Sequence, residues 1–474
     1  MVDKERNEQD RLQTEGAEAA GPARAIGHLP AVLAWLGFLG FFSVLNETVF
    51  TVSLPDIANQ FGIPPSTANW VTISFVITFG IGSAIYGRLA DMYGVKWLLV
   101  IGLCIYSGGS LLGLFAPFSF PAVIAARFIQ GAGASAVPAM IMVMIARYIG
   151  PEDRGKAFGI VGSMVAMGEG IGPVIGGVVA DTIHWSFLFL LPVVTLVSIP
   201  FFLRVLPHEP SRKGKVDVKG ALLLSAVMVM FTLYTTGYQW GYLAGSFLLL
   251  GMFAFYIRRV EQPFIEPSLF RKPRFVKGVL TGCILLGTAA GFISMVPYMM
   301  RDVHHLSTGL IGGGILFPGT MSVAFFGVVG GRLADRRGHL FVLSLGVFLI
   351  TMSFLGTALF ADQTPWLMTG ALVLAFGGLS FVKTAISSSV AETLEEHEAG
   401  AGMGMLNLAC FLSEGIGAAI VGGLLSNSLL DFPLLPTVGQ PAAFVYSNLL
   451  IVFALLVFVG RVIYSSAYGR RQND

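Results

Sequence analysis

Fourteen stretches of the sequence are long and apolar enough to cross a lipid bilayer, and nothing else about the chain constrains its fold as tightly. A spanning helix needs about 20 mostly apolar residues. Such runs lie near 31–53, 71–90, 97–116, 121–146, 157–180, 185–203, 218–238, 241–258, 276–299, 308–331, 340–361, 366–388, 400–424 and 444–464. None shows the alternation over about ten residues that marks an outer-membrane strand, so the expected class is an all-α integral membrane protein. Only 12% of the 474 residues are charged, roughly half the share a water-facing domain carries. That excludes a soluble enzyme, a disordered chain and a nucleic-acid binder, and makes the bilayer the first partner. Residues 1–29 are polar and lack the apolar core of a signal peptide, so they read as a disordered cytoplasmic tail. Cys104, Cys283 and Cys410 sit inside apolar runs with a spacing that suits neither a disulfide framework nor a metal site.

Orientation follows from the bias of Lys and Arg toward cytoplasmic loops. Positive residues crowd the even-numbered connections, as in Arg88 and Lys96, Arg147 to Lys156, and Arg332 to Arg337. All odd-numbered connections together hold a single one, Arg301. Both termini carry positives as well, so both are expected on the cytoplasmic side of the membrane.

The spans are also repeated. Gly87-Arg88-Leu89-Ala90-Asp91 recurs as Gly331-Arg332-Leu333-Ala334-Asp335 at an offset of 244. Gly168-Glu169-Gly170-Ile171-Gly172 recurs as Ser413-Glu414-Gly415-Ile416-Gly417 at an offset of 245, and Gly155 to Gly159 is echoed at Gly400 to Gly404. One spacing shared by three landmarks argues for duplication. The expected organisation is a tail over 1–29, a six-helix bundle over 30–206, two extra spans with their linkers over 207–275, a second six-helix bundle over 276–464 and a tail over 465–474. Parallel repeats with a site at the midplane between them are a signature of secondary transporters.

The residues at these landmarks carry a family likeness. Gly87 to Lys96 (GRLADMYGVK) resembles the loop 2–3 motif of the major facilitator superfamily, and Ala126 to Gly133 (ARFIQGAG) resembles its fourth-span motif. Gly168 to Gly177 (GEGIGPVIGG) is similar to the fifth-span motif of its drug/proton antiporter branch. Ser43 to Glu47, Val52 to Ala58, Met295 to Met300 and the two Glu-Gly pairs resemble, more narrowly, the class K/L tetracycline efflux antiporters. The likeness runs over about residues 35–465. It implies a fourteen-span major facilitator fold and proton-coupled export of a tetracycline–divalent metal complex, with an ion such as magnesium travelling as cargo. Exchange of sodium or potassium for protons is implied too.

Five ionisable residues fall well inside spans: Glu47, Arg127, Glu169, Lys383 and Glu414. Each costs about 2.5–3.5 kcal/mol even on the lenient insertion scale, so such residues face a cavity or a partner. One reading makes them ion pairs that lock helices together. The other makes them the coupling site, where a proton and a cationic substrate compete for the same carboxylates. Glu47 and Arg127 share a depth, each about six residues from the outer end of its span, which fits a pair. Glu169 and Glu414 occupy equivalent mid-span positions flanked by Gly, which favours the coupling role. If all five ionise, one negative charge is in excess, and such a site prefers a cation.

Asn46, Gln130 and Asn407 are candidates for the cavity wall. The repeated motif (Gly87, Arg88, Asp91, Gly94; Arg332, Asp335) reads either as a solvated charged turn or, as the resemblance implies, as a gate between the halves. Gly170, Gly172, Pro173 and Gly176 suit close helix packing and bending; with no preceding strand and no G-x-G-x-x-G they are no dinucleotide loop. No P-loop and no Ser/His/Asp arrangement occurs in the sequence, so neither an ATP-driven pump nor an enzyme is expected. No cofactor is expected, nor a metal held by the protein alone. Two further readings remain: a multidrug antiporter for organic cations, and a proton-coupled nutrient symporter.

Overall fold

The computed structural model describes residues 29–207, 217–260, 267–395 and 399–469, with Glu209, Pro263 and Ile265 between them. Those residues contain no strand and fourteen helices of membrane-crossing length. In chain order they are α1 (Leu29–Thr48), α2 (Pro65–Ala90), α3 (Val95–Leu114), α4 (Phe120–Ile145), α5 (Gly159–Thr182), α6 (Trp185–Val205) and α7 (Val218–Gly237). There follow α8 (Trp240–Ile257), α9 (Pro273–Asp302), α10 (Thr308–Ala334), α11 (His339–Leu359), α12 (Pro365–Ala391), α13 (Gly402–Leu425) and α14 (Pro441–Tyr468). An even number of crossings returns both ends of the described chain to one side, called here the terminal face. The tail expected over 1–29 lies outside the described residues except at Leu29.

Local chemistry sets the boundaries. Helices α9, α12 and α14 each open on a proline after an extended residue (Lys272, Thr364, Gln440). Proline's fixed φ and missing N–H suit the first helical position. The first apolar run, expected over 31–53, divides instead: α1 ends at Thr48, a 3-10 turn covers Thr51–Ser53, and a short helix follows over Leu54–Phe61. Gly94 and Gly338 close the two copies of the repeated motif with nearly the same backbone, φ 77° and 80°. Glycine alone enters that region without a steric penalty, so the duplicated motif is duplicated in geometry.

The same neighbours recur in the two halves. Helix α1 packs on α5 as α9 packs on α13, and α2 on α4 as α10 on α12. Helices α3·α4 and α3·α6 correspond likewise to α11·α12 and α11·α14. Across the halves, α2 meets α13 and α5 meets α10, and these two contacts are repeat images of each other. The hairpin α7–α8 stands outside this arrangement. Its α7 lies against both α2 and α13, with Trp70 Nε1 donating to Thr236 Oγ1 at 3.0 Å and Gly423 lying against the Thr235 carbonyl. Asp217 caps α7 through Gly220 N–H (2.8 Å) and accepts from Tyr256 OH (2.9 Å), which ties α8 to it.

Candidate functional site

The halves are joined from mid-membrane to the face opposite the termini. On one side Thr320 Oγ1 donates to Gly170 O (3.0 Å), and α5 and α10 approach so closely that a Cβ on Gly312 would lie 2.0 Å from Pro173 O. Gly172 and Gly176 are equally intolerant, since a Cβ there would meet Thr48 and the Val49 carbonyl within 2.2 Å, whereas at Gly170 it would meet the movable tip of Met321. On the other side Asn69 Nδ2 donates to Ala418 O (2.8 Å), Ser66 N to Ser426 Oγ (3.0 Å), and Phe79 sets its ring edge-on to Phe411 at 5.2 Å. Toward the terminal face these contacts stop. Gly159, Gly162 and Ser163 of α5 and Phe325, Val328 and Arg332 of α10 are exposed.

A cavity of about 360 Å³ lies between the halves and takes its walls from both. It contains Glu47, Glu169, Lys383 and Glu414, set among apolar side chains that include Val44, Ile141, Leu286 and Phe411. Four of the five charged candidates therefore converge, although they come from α1, α5, α12 and α13. Lys383 forms no ion pair within 4.0 Å with any of the three carboxylates. The four surround an open space instead of locking helices, and with all four ionised their net charge is negative. A volume of this size falls in the range of small-molecule sites, about 300–1,000 Å³.

Arg127 is placed differently from the expectation. Its guanidinium is fully buried in the N-terminal half, donating from Nε to Val71 O (2.8 Å) and from Nη1 to Gln130 Oε1 (3.0 Å). It lies over the rings of Phe50 and Phe75 at 4.5 and 4.2 Å. Glu47 forms no ion pair with it within 4.0 Å. Equal depth fixed neither side chain's direction around its helix, and the aromatic faces and carbonyl took the place of the carboxylate. Gln130, donating to Ser110 Oγ at 2.8 Å, and Asn46 are likewise fully buried and are not among the residues lining the cavity. Asn407 is exposed on α13, seven residues before Glu414 and so two turns nearer the terminal face, and does not line the cavity either.

Each repeated motif is anchored within its own half. Glu209 accepts from Val95 N–H (3.1 Å) at the start of α3 and from Tyr148 OH (2.6 Å), and pairs with Arg147 (3.4 Å). Burial and the Glu209 carboxylate push the Tyr148 phenol well above its ordinary range. In the second copy His339 meets Glu392 at 2.9 Å, so an acidic residue stands at the repeat position of Arg147. Arg88 is half-buried and Arg332 exposed; the side chains of Asp91 and Asp335 lie outside the described residues. A second cavity, of about 710 Å³, sits at the terminal face of the C-terminal half among pairs already made, Lys272–Glu395 (3.9 Å) and His339–Glu392.

A feature absent from the sequence reading closes the opposite face. Arg301 Nη1 donates to Asp56 Oδ1 (2.5 Å) and Nη2 to Thr308 Oγ1 (2.6 Å), while the Thr308 hydroxyl donates to Asp56 Oδ2 (2.6 Å). The triangle ties the segment after α1 to the ends of α9 and α10, and hence one half to the other. The signal was present in the sequence, since Arg301 is the sole positive residue in the odd-numbered connections. Asp56→Asn should weaken the triangle by about 1 kcal/mol, roughly a fivefold shift toward opening on that face. In a cysteine-free background, Ala418→Cys would then react faster with an impermeant thiol reagent applied there, and exchanging the two charges should restore the slow rate. Unchanged reactivity in Asp56→Asn would count against a latch.

The geometry can be set beside known proteins. The sequence profile of the Major Facilitator Superfamily matches residues 36–418. The chain is 26% identical over 404 residues to the uncharacterized MFS-type transporter YcnB of Bacillus subtilis (strain 168), covering 82% of this chain and 84% of that one. It is 29% identical to multidrug resistance protein 3 of the same organism (73% and 70% covered) and 24% identical to the riboflavin transporter RibZ of Clostridioides difficile (strain 630; 82% and 86% covered). Among solved structures, a POT family transporter in complex with 5-aminolevulinic acid superposes with a TM-score of 0.68 at 15% identity, over 95% of this chain and 99% of that one. An inward-facing, unoccupied bacterial homolog of the lysosomal transporter Spinster gives 0.65 at 14% identity (94% and 97% covered). The profile match spans most of the sequence, and the paired six-helix halves have the same architecture as these structures. The chain belongs to the Major Facilitator Superfamily.

Proposed function

We propose that this transporter is a proton-coupled antiporter that exports a tetracycline–divalent metal complex across a bacterial plasma membrane, with its terminal face in the cytoplasm. One observation carries the reading: three carboxylates and one lysine line a cavity shared by both halves, and none is locked into an ion pair. An unpaired carboxylate in a low-dielectric site takes up a cation or a proton, and not both at once. A drug chelated to magnesium carries one positive charge and satisfies such a site; a returning proton discharges it. Exchange of one for one is electroneutral, and each unit of pH gradient then supplies about 1.4 kcal/mol, a tenfold concentration ratio. The choice of tetracycline rests on the likeness of Ser43–Glu47, Met295–Met300 and the two Glu-Gly pairs to the class K/L efflux antiporters. Sodium or potassium exchange for protons would use the same carboxylates.

A second reading, export of organic cations in general, is favoured by the relatives named as multidrug resistance proteins. Everted vesicles energised with a pH gradient decide between them. Tetracycline uptake that rises with magnesium and collapses with the gradient is the expected result. Uptake indifferent to magnesium would favour the organic-cation reading, and uptake indifferent to the gradient would overturn antiport.

A further inference from the structure

Hydroxyl groups inside a membrane helix ordinarily bond to a carbonyl of their own preceding turn. Most in this protein do so: Ser74 donates to Trp70 O, Thr78 to Ser74 O, Ser110 to Tyr106 O, Thr288 to Ile284 O and Ser413 to Ala409 O. Three that belong to residues of the central cavity's wall do not. The hydroxyls of Ser43, Thr72 and Ser294 have no hydrogen-bond partner, and Ser43 and Ser294 are only 2% and 4% exposed. They come from both halves, from α1 and α2 on one side and α9 on the other. Ser43 lies one turn from Glu47 on the same face of α1.

Unmade hydrogen bonds at buried sites are costly, and a site built to bond a ligand's polar groups rejects analogues lacking them. The cavity therefore asks for more than charge. We propose that Ser43, Thr72 and Ser294 form a hydrogen-bonding subsite that selects cations bearing hydroxyl, carbonyl or amide groups on an apolar frame over cations bearing none. The proposal rests on the cationic-substrate reading above and deepens it. Because the hydroxyls belong to opposite halves, one ligand that engages all three also joins the halves across the cavity.

The test is equilibrium binding to the full-length protein in lipid nanodiscs at neutral pH without a gradient. Two probes are compared: tetracycline with magnesium, rich in hydroxyl and carbonyl groups, and tetraphenylphosphonium, a cation with no hydrogen-bonding group. Ser43→Ala, Thr72→Val and Ser294→Ala should each weaken the tetracycline complex about fivefold to tenfold, with a far smaller change for tetraphenylphosphonium. Ser43→Thr, which keeps the hydroxyl, should stay within about twofold of wild type. Equal losses for both probes, or none for either, would overturn the subsite. Wild-type protein that holds tetraphenylphosphonium but not tetracycline would overturn the subsite while leaving the cation reading standing. Wild-type protein that holds neither would overturn both.

Discussion

Glu169→Gln and Glu414→Gln should each reach the membrane in normal amount and lose pH-gradient-driven accumulation almost entirely. Gln preserves shape and hydrogen bonding but carries no charge and cannot titrate, so the substitution removes the competition between proton and cation while leaving the wall intact. Both carboxylates line the cavity, one from each half, and share it with Lys383. Either substitution leaves Lys383 facing one carboxylate fewer in the cavity, so each should also weaken binding of a cationic substrate. A purely structural role predicts the reverse pattern, with low yield and normal coupling in whatever protein survives. Yield and gradient-driven uptake measured on the same vesicles separate the two. Wild-type accumulation in both variants would remove these carboxylates from the proton path.

Such an experiment can be designed from sequence because membrane proteins expose part of their architecture in one dimension. Length and hydropathy identify spans, since a backbone in lipid must satisfy its own hydrogen bonds and the helix is the continuous way to do so. The duplicated GRLAD and Glu-Gly landmarks then fix which spans correspond, and pseudo-symmetry brings Glu169 and Glu414 to one cavity. What one dimension does not encode is azimuth and long-range partnership. Arg127 and Glu47 share a depth but face different surroundings, and Asn407 shares a helical face with Glu414 yet sits two turns from it and outside the cavity wall. Asp56 and Arg301 are 245 residues apart, and their meeting depends on how the opposite faces of the halves close. Glu209, which holds the start of α3, lies in a charged linker where sequence gives no reason to prefer it over its neighbours. The unpartnered hydroxyls of Ser43 and Ser294 are invisible at the sequence level for the same reason: composition counts a serine, but not the bond it fails to make.

Arg127 gives the sharpest contrast between depth and contact. Arg127→Ala removes the donor to Val71 O and Gln130 Oε1 and empties the space between Phe50 and Phe75. Truncating a large, fully buried side chain costs about 2–5 kcal/mol through the void left behind, and here two buried acceptors lose a charged donor as well. Yield and thermal stability in detergent should fall sharply. If the guanidinium were paired with Glu47 in contact, the second substitution Glu47→Gln would relieve the stranded carboxylate and recover much of the loss. The observed geometry predicts no such recovery, because packing and the Gln130 bond carry the stability. Arg127→Lys should also fail, since an ammonium lacks the planar fork that reaches Val71 O and Gln130 while lying flat over two rings. Full recovery of the melting temperature in the Glu47→Gln, Arg127→Ala double variant would establish the ion pair and make the aromatic cage secondary.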